Sequence, residues 1–487
     1  MARSFLSLSF ALATFVLLGA GATSASAQPA IPTPPASAAP AAPTKQVDSP
    51  EVQEALQELI KTGSIPNAIS KLEEALRKYP DLPSAHVIMG SWLASPKFNR
   101  RDLALLQLDE AVKTNSSDPE PYVILGKIAL QDRRLSEAAI DFHKAEQLLA
   151  TYNTTPKHKA TIEHETLSGI ARVAEAQENW KEAEPALRDL LKVIPEDLVA
   201  HQRLARSLFW QGKAGDAYEI LRKAKGIDRA NSRRNNTREE FLTPEAIMGK
   251  YYDEIEGPTS KNAKIWFDAA LSNVPKDLAT REVVGIWALR KGNLPYAKEQ
   301  AEAILKLEES DVMRYRGSNV GHMLRGLAAL WEKRWGDAEK DFEPILLPVP
   351  NDFGARNNLA LALVEQNDPG KKRRALALAE TNYRDNINSP DALSTLAWIY
   401  FRVNEFDLAW LTIKKDISLV GGRIDPDTKT YLAHILYHQD NKWPAKECLD
   451  DVLKADQPFA MRKEAQELYE KVKDTRMPEG TPAAKTP

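Results

Sequence analysis

Cysteine is nearly absent. The 487 residues hold one, Cys448, so no internal disulfide can form and no multi-thiol metal site exists. Histidine is scarce too, at eight, and none falls in a His-Glu-x-x-His motif. There is no Walker loop, dinucleotide fingerprint or nucleophile elbow. These gaps leave no catalytic residue, metal or cofactor to assign, and the chain reads as a non-enzyme. His434 and His438 lie four apart on one helical face, but a metal site needs further ligands, and the sequence offers none. An excess of one charge is also missing. Lys and Arg total 65 against 68 Asp and Glu, a formal net charge of −3, which argues against a dedicated nucleic-acid or acidic-membrane binder.

Long apolar runs are missing, with one exception. Arg3 precedes the mostly apolar stretch Phe5 to Leu18, and Ala25-Ser26-Ala27 follows as a small-residue cleavage site. Residues 1–27 therefore read as a signal peptide, too short for a comfortable span, although retention as an anchor is the alternative. No cysteine follows to take a lipid. The mature chain, from Gln28, is expected to be exported to a bacterial periplasm or cell envelope, without stable membrane insertion. Loss of Arg3 takes the formal charge from −3 to −4. Residues 28–50 hold seven prolines and six alanines and read as a semi-rigid linker. Residues 475–487 read as a disordered tail. Between the repeats and this tail, residues 459–474 place Ala465, Leu468, Tyr469 and Val472 on one stripe, which predicts a helix that caps an open end.

What the chain does have is a ruler of alanines: Ala68, Ala104, Ala138, Ala183, Ala217, Ala263, Ala297, Ala338, Ala375, Ala409 and Ala445. Their spacings are 36, 34, 45, 34, 46, 34, 41, 37, 34 and 36 residues. Four residues after each comes an apolar side chain, from Leu72 to Leu449. Seven residues after, only Asn382 and Asp416 are polar. Offsets 0, 4 and 7 share one helix face. Upstream runs a second column of small residues, including Gly90, Gly126, Ala171, Ala205, Gly285, Gly326, Ala360, Ala397 and Ala433. Tyr251 stands where that column expects a small residue. Small residues on both members of a pair let two helix backbones approach. The spacing predicts stacked helix–turn–helix units over residues 51–458, one continuous solenoid rather than several globules.

Tyr122, Leu125, Gly126, Ala138, Phe142 and Ala145 follow the aromatic, Leu-Gly, Ala, aromatic, Ala order of the tetratricopeptide repeat, which the chain resembles. Pro80, Pro195, Pro275 and Pro350 each fall twelve residues past a marker, where the second helix should stop, and Trp180, Trp335 and Phe406 sit three before one. The resemblance implies an all-α, right-handed superhelix of about eleven hairpins. It also implies an inner groove lined by first helices, where a protein or peptide partner lies. Its positions here are Arg206, Trp210, Tyr252, Arg290, Trp331, Trp398, Arg402, His434 and His438, with Asn358 matching an Asn that contacts bound backbone in peptide-binding members.

Three additions to the repeat fall near 150–163, 231–243 and 312–318 and read as edge insertions. The second carries Arg222, Lys223, Lys225, Arg229, Arg233, Arg234 and Arg238. It reads as a basic loop, either simply solvated or a landing site for an anionic partner. Lys371 to Arg374 put cations at the start of a second helix, where the dipole disfavours them. The expected function is an exported interaction scaffold. The alternatives are recognition of an envelope glycan or anionic polymer, a catalytic role assembled only on folding, and a purely architectural spacer.

Overall fold

A computed structural model describes residues 49–235, 237, 241–257, 260–307, 311–454 and 458–476, with backbone alone over 311–316. The expected signal peptide, most of the linker, Arg238 and nearly all of the tail lie outside them. Every regular element among the described residues is a helix, 23 in all. The first ten are α1 (Pro50–Thr62), α2 (Ile65–Lys78), α3 (Ala85–Ala94), α4 (Arg101–Thr114), α5 (Glu120–Gln131), α6 (Leu135–Leu149), α7 (Pro156–Ala176), α8 (Trp180–Val193), α9 (Leu198–Trp210) and α10 (Ala214–Asn235). Then come α11 (Pro244–Glu256), α12 (Lys261–Asn273), α13 (Leu278–Arg290), α14 (Leu294–Leu305), α15 (Asp311–Trp331), α16 (Trp335–Leu346), α17 (Phe353–Val364) and α18 (Pro369–Asp385). The last five are α19 (Pro390–Arg402), α20 (Phe406–Leu419), α21 (Pro426–His438), α22 (Lys442–Lys454) and α23 (Arg462–Val472). The first 22 pair as eleven hairpins, an all-α helical-repeat solenoid. The chain divides into two compact units, with the boundary between Ile247 and Met248 inside α11.

Local chemistry sets each hairpin. Ser64, Thr155, Asp197, Asp277 and Asp352 accept a backbone N–H two or three residues into the helix they precede. Within most hairpins one turn residue takes the left-handed conformation that reverses the chain, as at Arg133 (φ 59°), Glu178 (57°) and Lys333 (60°). Trp180, Trp335 and Phe406 each open a second helix.

All eleven marker alanines are completely buried at the crossing of paired helices. So are the side chains four further on, from Leu72 through Leu449, none above 1% exposed. Asn382 and Asp416 are as buried as their apolar counterparts, so the register holds through the last hairpins. The Asn382 amide donates there to the Phe353 carbonyl and to Asn357 Oδ1, and the Asn357 amide donates to Thr395 Oγ1 at 2.8 Å.

Glycine in the small column is a steric demand of large partners. A Cβ on Gly126 or Gly169 would come within 3.0 or 2.3 Å of the Phe142 ring, which α6 wedges between α5 and α7. The sequence placed Tyr251 in this column, and the structure corrects it. Gly249 is the contact residue: a Cβ added there would come within 2.7 Å of the Phe267 ring, and one on Gly90 within 2.8 Å of Leu108. Both stand fourteen residues before their marker rather than twelve, because the intervening turn is longer.

The three expected insertions are corrected too. Each lengthens a helix: α7 and α15 at their N-termini, to 21 residues each, and α10 at its C-terminus, to 22. The segment rich in Lys, Arg and Ala is a good helix former, and cations near a C-terminus suit the dipole. At α18 the opposite conflict is resolved locally. Asp368 caps the first turn, and Lys371 and Arg374 pair with Glu339 and Glu343 of α16 at 2.5 and 2.6 Å. Cys448 is half-buried, and burial pushes its thiol up to about 11.

Candidate functional site

In the unit ending at Ile247, Arg206 and Trp210 lie one turn apart on α9. Trp210 stacks on Trp180 at 5.8 Å and 12°, and the Arg206 guanidinium sits 5.7 Å from the same ring. Ser207 and Gln211 fix Trp180 by donating to its carbonyl at 2.8 and 3.0 Å. The result is a half-buried platform of two indoles and a cation.

The basic segment is a helix face. Arg229, Arg233 and Arg234 are exposed on α10, and Arg234 pairs with Glu196 at 3.1 Å. Beneath them Lys225 pairs with buried Asp228 at 3.3 Å. Asp228 in turn accepts the Phe241 N–H at 3.0 Å, which ties the following segment down.

In the second unit the remaining positions separate. Tyr252 stacks on Trp266 at 6.4 Å, and Arg290 is exposed at the end of α13. Asn358 is completely buried, with its amide 3.7 Å from Met323 Sδ, so it belongs to the packing of α15 against α17 rather than to an open groove. Trp398 is only 5% exposed, stacks on Tyr431 at 4.6 Å and donates to Glu365 at 2.8 Å. Arg402, expected to face a partner, pairs with the same Glu365 at 2.8 Å. His434 packs edge-on against Trp398 at 5.5 Å, and burial lowers its pKa to about 4. His438 stacks on Phe406 at 3.6 Å instead of joining it. Among the described residues no group of three or more His, Cys, Asp or Glu could hold a metal ion. No helix there is long and apolar enough to cross a membrane.

One feature escaped the sequence reading. The segment that leads into α23 reaches back to helices four hairpins earlier. Pro458 lies against Gly292 at the end of α13, where an added Cβ would meet Pro458 at 3.1 Å and Trp331 at 3.5 Å. Glu464 pairs with Lys333, just past α15, at 2.7 Å, and Lys333 also lies 3.7 Å from Met461 Sδ. The Met461 N–H donates to Asp427 of α21 at 2.7 Å. Phe459, Ala460 and Met461 are 3%, 6% and 6% exposed, in the same core cluster as Leu327, Trp398 and Tyr431. The signal was present as Pro458-Phe459-Ala460-Met461, an unbroken apolar run before a helix that needs only one apolar face to cap a stack.

Residues 169–232, from mid-α7 to near the end of α10, match the tetratricopeptide repeat family. No curated protein matches the sequence. Among solved structures, a tetratricopeptide repeat protein from Parabacteroides merdae is 15% identical, covering 64% of this chain and 99% of its own, with a TM-score of 0.37. A thermophilic repeat protein from Thermus thermophilus is 16% identical over 40% of this chain and 98% of its own, at 0.33. Yeast Tom70 is 14% identical over 86% and 94%, at 0.36. Residues 169–232 are thus a tetratricopeptide-repeat match set within eleven hairpins whose alanine columns are buried in register.

Proposed function

We propose that this protein is an exported, non-catalytic interaction scaffold that holds a segment of a partner protein against the first helices of its hairpins. The observation that supports this most directly is the platform on α8 and α9. Trp and Arg dominate interface energetics, and here two indoles and a guanidinium are gathered at one half-buried place. An apolar or aromatic partner side chain would lie on the indoles, with Arg206 pairing an acidic group or a backbone carbonyl. Tyr252, Arg290 and Trp331 offer further contacts of the same type. Trp398 and Arg402 contribute only where Glu365 releases them.

Affinity capture from the protein's own envelope fraction tests this. Trp210→Ala should cost the captured partner at least tenfold in yield, while Leu106→Ala, an exposed position on α4, should cost nothing. Equal capture by both variants would remove the platform from the mechanism. Export rests on the Arg3, Phe5–Leu18 and Ala25-Ser26-Ala27 pattern, and the mature chain should begin at Gln28 by N-terminal sequencing.

The exposed cations of α10 support a second reading, in which an anionic envelope polymer docks along that helix. It requires binding that falls steeply with added salt, whereas docking on the indoles would be nearly salt-independent.

A further inference from the structure

We propose that residues 458–464 are an intramolecular ligand of the second unit, and that a partner segment of the same chemistry binds there by displacing them. That chemistry is a short apolar stretch whose backbone N–H meets Asp427, with a carboxylate three residues later for Lys333. The idea rests on the scaffold reading and identifies one of its docking places.

Capping alone does not account for the contacts. To cover the last hairpin, α23 needs only Ala465, Leu468 and Val472, all of which are buried. The reach to Gly292, Trp331 and Lys333 is additional, and it has the features of recognition rather than of a stack end. Phe459 and Met461 bury apolar side chains, and Asp427 reads a backbone N–H with an oxygen it does not need for its own helix. N-cap duty at α21 belongs to Asp425, which accepts from both Asp427 N and Thr428 N. Lys333 supplies a charge for Glu464 in trans to the helix that bears it. The segment is a continuation of the chain, so it competes at an effective concentration on the order of millimolar. A partner must overcome that, and its apparent affinity is reduced by the fraction of molecules whose segment is released.

The test uses the full chain and a fluorescent synthetic peptide of residues 456–467. Four proteins are compared: the wild type, the triple variant Phe459→Ala/Met461→Ala/Glu464→Ala, that triple with Lys333→Glu added, and wild type with Lys333→Glu alone. The triple variant should bind the peptide at least tenfold more tightly than the wild type. Adding Lys333→Glu should abolish the gain, and a peptide carrying Glu464→Lys should restore it. A triple variant with wild-type helical content that binds no more tightly than the wild type overturns the proposal, as does failure of the charge-swapped peptide. Should the triple variant not fold, excess peptide added to the wild type should raise amide exchange at 458–464. Unchanged exchange at millimolar peptide overturns it equally. Peptide binding without a gain in captured envelope protein overturns displacement by a partner while upholding the seated segment. The Trp210→Ala capture test is untouched by any of these results, so the two ideas fail separately.

Discussion

Asp416 is the residue whose burial is hardest to reconcile with its chemistry. It stands in a column otherwise apolar but for Asn382, is 2% exposed, and its Oδ1 is buried without a hydrogen-bond partner. Burial, followed by the nearby carboxylates Asp425 and Asp391, pushes its pKa up to about 8. In the unfolded chain it would titrate near the ordinary value of about 3.9. Between those values the folded state holds a proton that the unfolded state does not, so stability is greatest below the unfolded pKa and falls as pH rises toward 8. The maximum slope is about 1.4 kcal/mol per pH unit for one proton. Asp427, also pushed up to about 8 by burial, adds a slope of the same sign. Asp416→Asn, which copies Asn382 one hairpin earlier, should stabilise the protein at pH 8 and leave it nearly unchanged at pH 4. Thermal melts at both pH values would show this, and a variant with the full wild-type decline would refute the assignment. The sequence showed the column and the polar residue within it. What it could not show was that the Asn382 amide finds acceptors at Phe353 and Asn357, because those acceptors come from another helix.

At the scale of elements, periodicity carried most of the fold. Offsets of 0, 4 and 7 from each alanine name one buried face, and the structure buries all of them. Turn lengths were harder to read. A two-residue slip between α11 and α12 moved the close contact from Tyr251 to Gly249, since a fixed offset cannot follow a variable turn. Insertions were misread for a related reason: extra residues between repeats could form a loop or extend a helix, and net charge alone suggested a loop. Composition favoured helix in α10, and the structure has it. Ala230→Pro discriminates between the two. On a helix it removes a backbone bond and clashes with the preceding turn, at a cost of up to about 3 kcal/mol. Amide protection from Gly226 to Asn235 should be lost, whereas a loop would absorb the change with no loss of protection. The groove positions were legible as residues but not as contacts. Arg402 and Trp398 were visible, while Glu365, which engages both, gave no sign in sequence.

For the whole molecule, the repeat architecture means that each hairpin draws stability from its own pairing and from its immediate neighbours. Phe142 is a direct probe, lodged against Gly126 of α5 and Gly169 of α7 with no room to relax. Phe142→Ala should cost roughly 3–5 kcal/mol. Faster amide exchange should appear first in α5, α6 and α7, while α17 and α19 keep wild-type protection. A uniform increase along the chain would mean a single cooperative body instead. The contact between residues 458–464 and Lys333 is the exception to nearest-neighbour logic, and no nearest-neighbour pattern in the sequence could have announced it.

The lone thiol has a consequence of its own. Cys448 is half-buried, and burial pushes its thiol up to about 11, so little of the thiolate that sulfur cross-linking requires forms at neutral pH. In an oxidising compartment such a chain can mature without oxidoreductases or isomerases. A reporter cysteine placed on any exposed turn would take a maleimide dye selectively, with the native residue left in place.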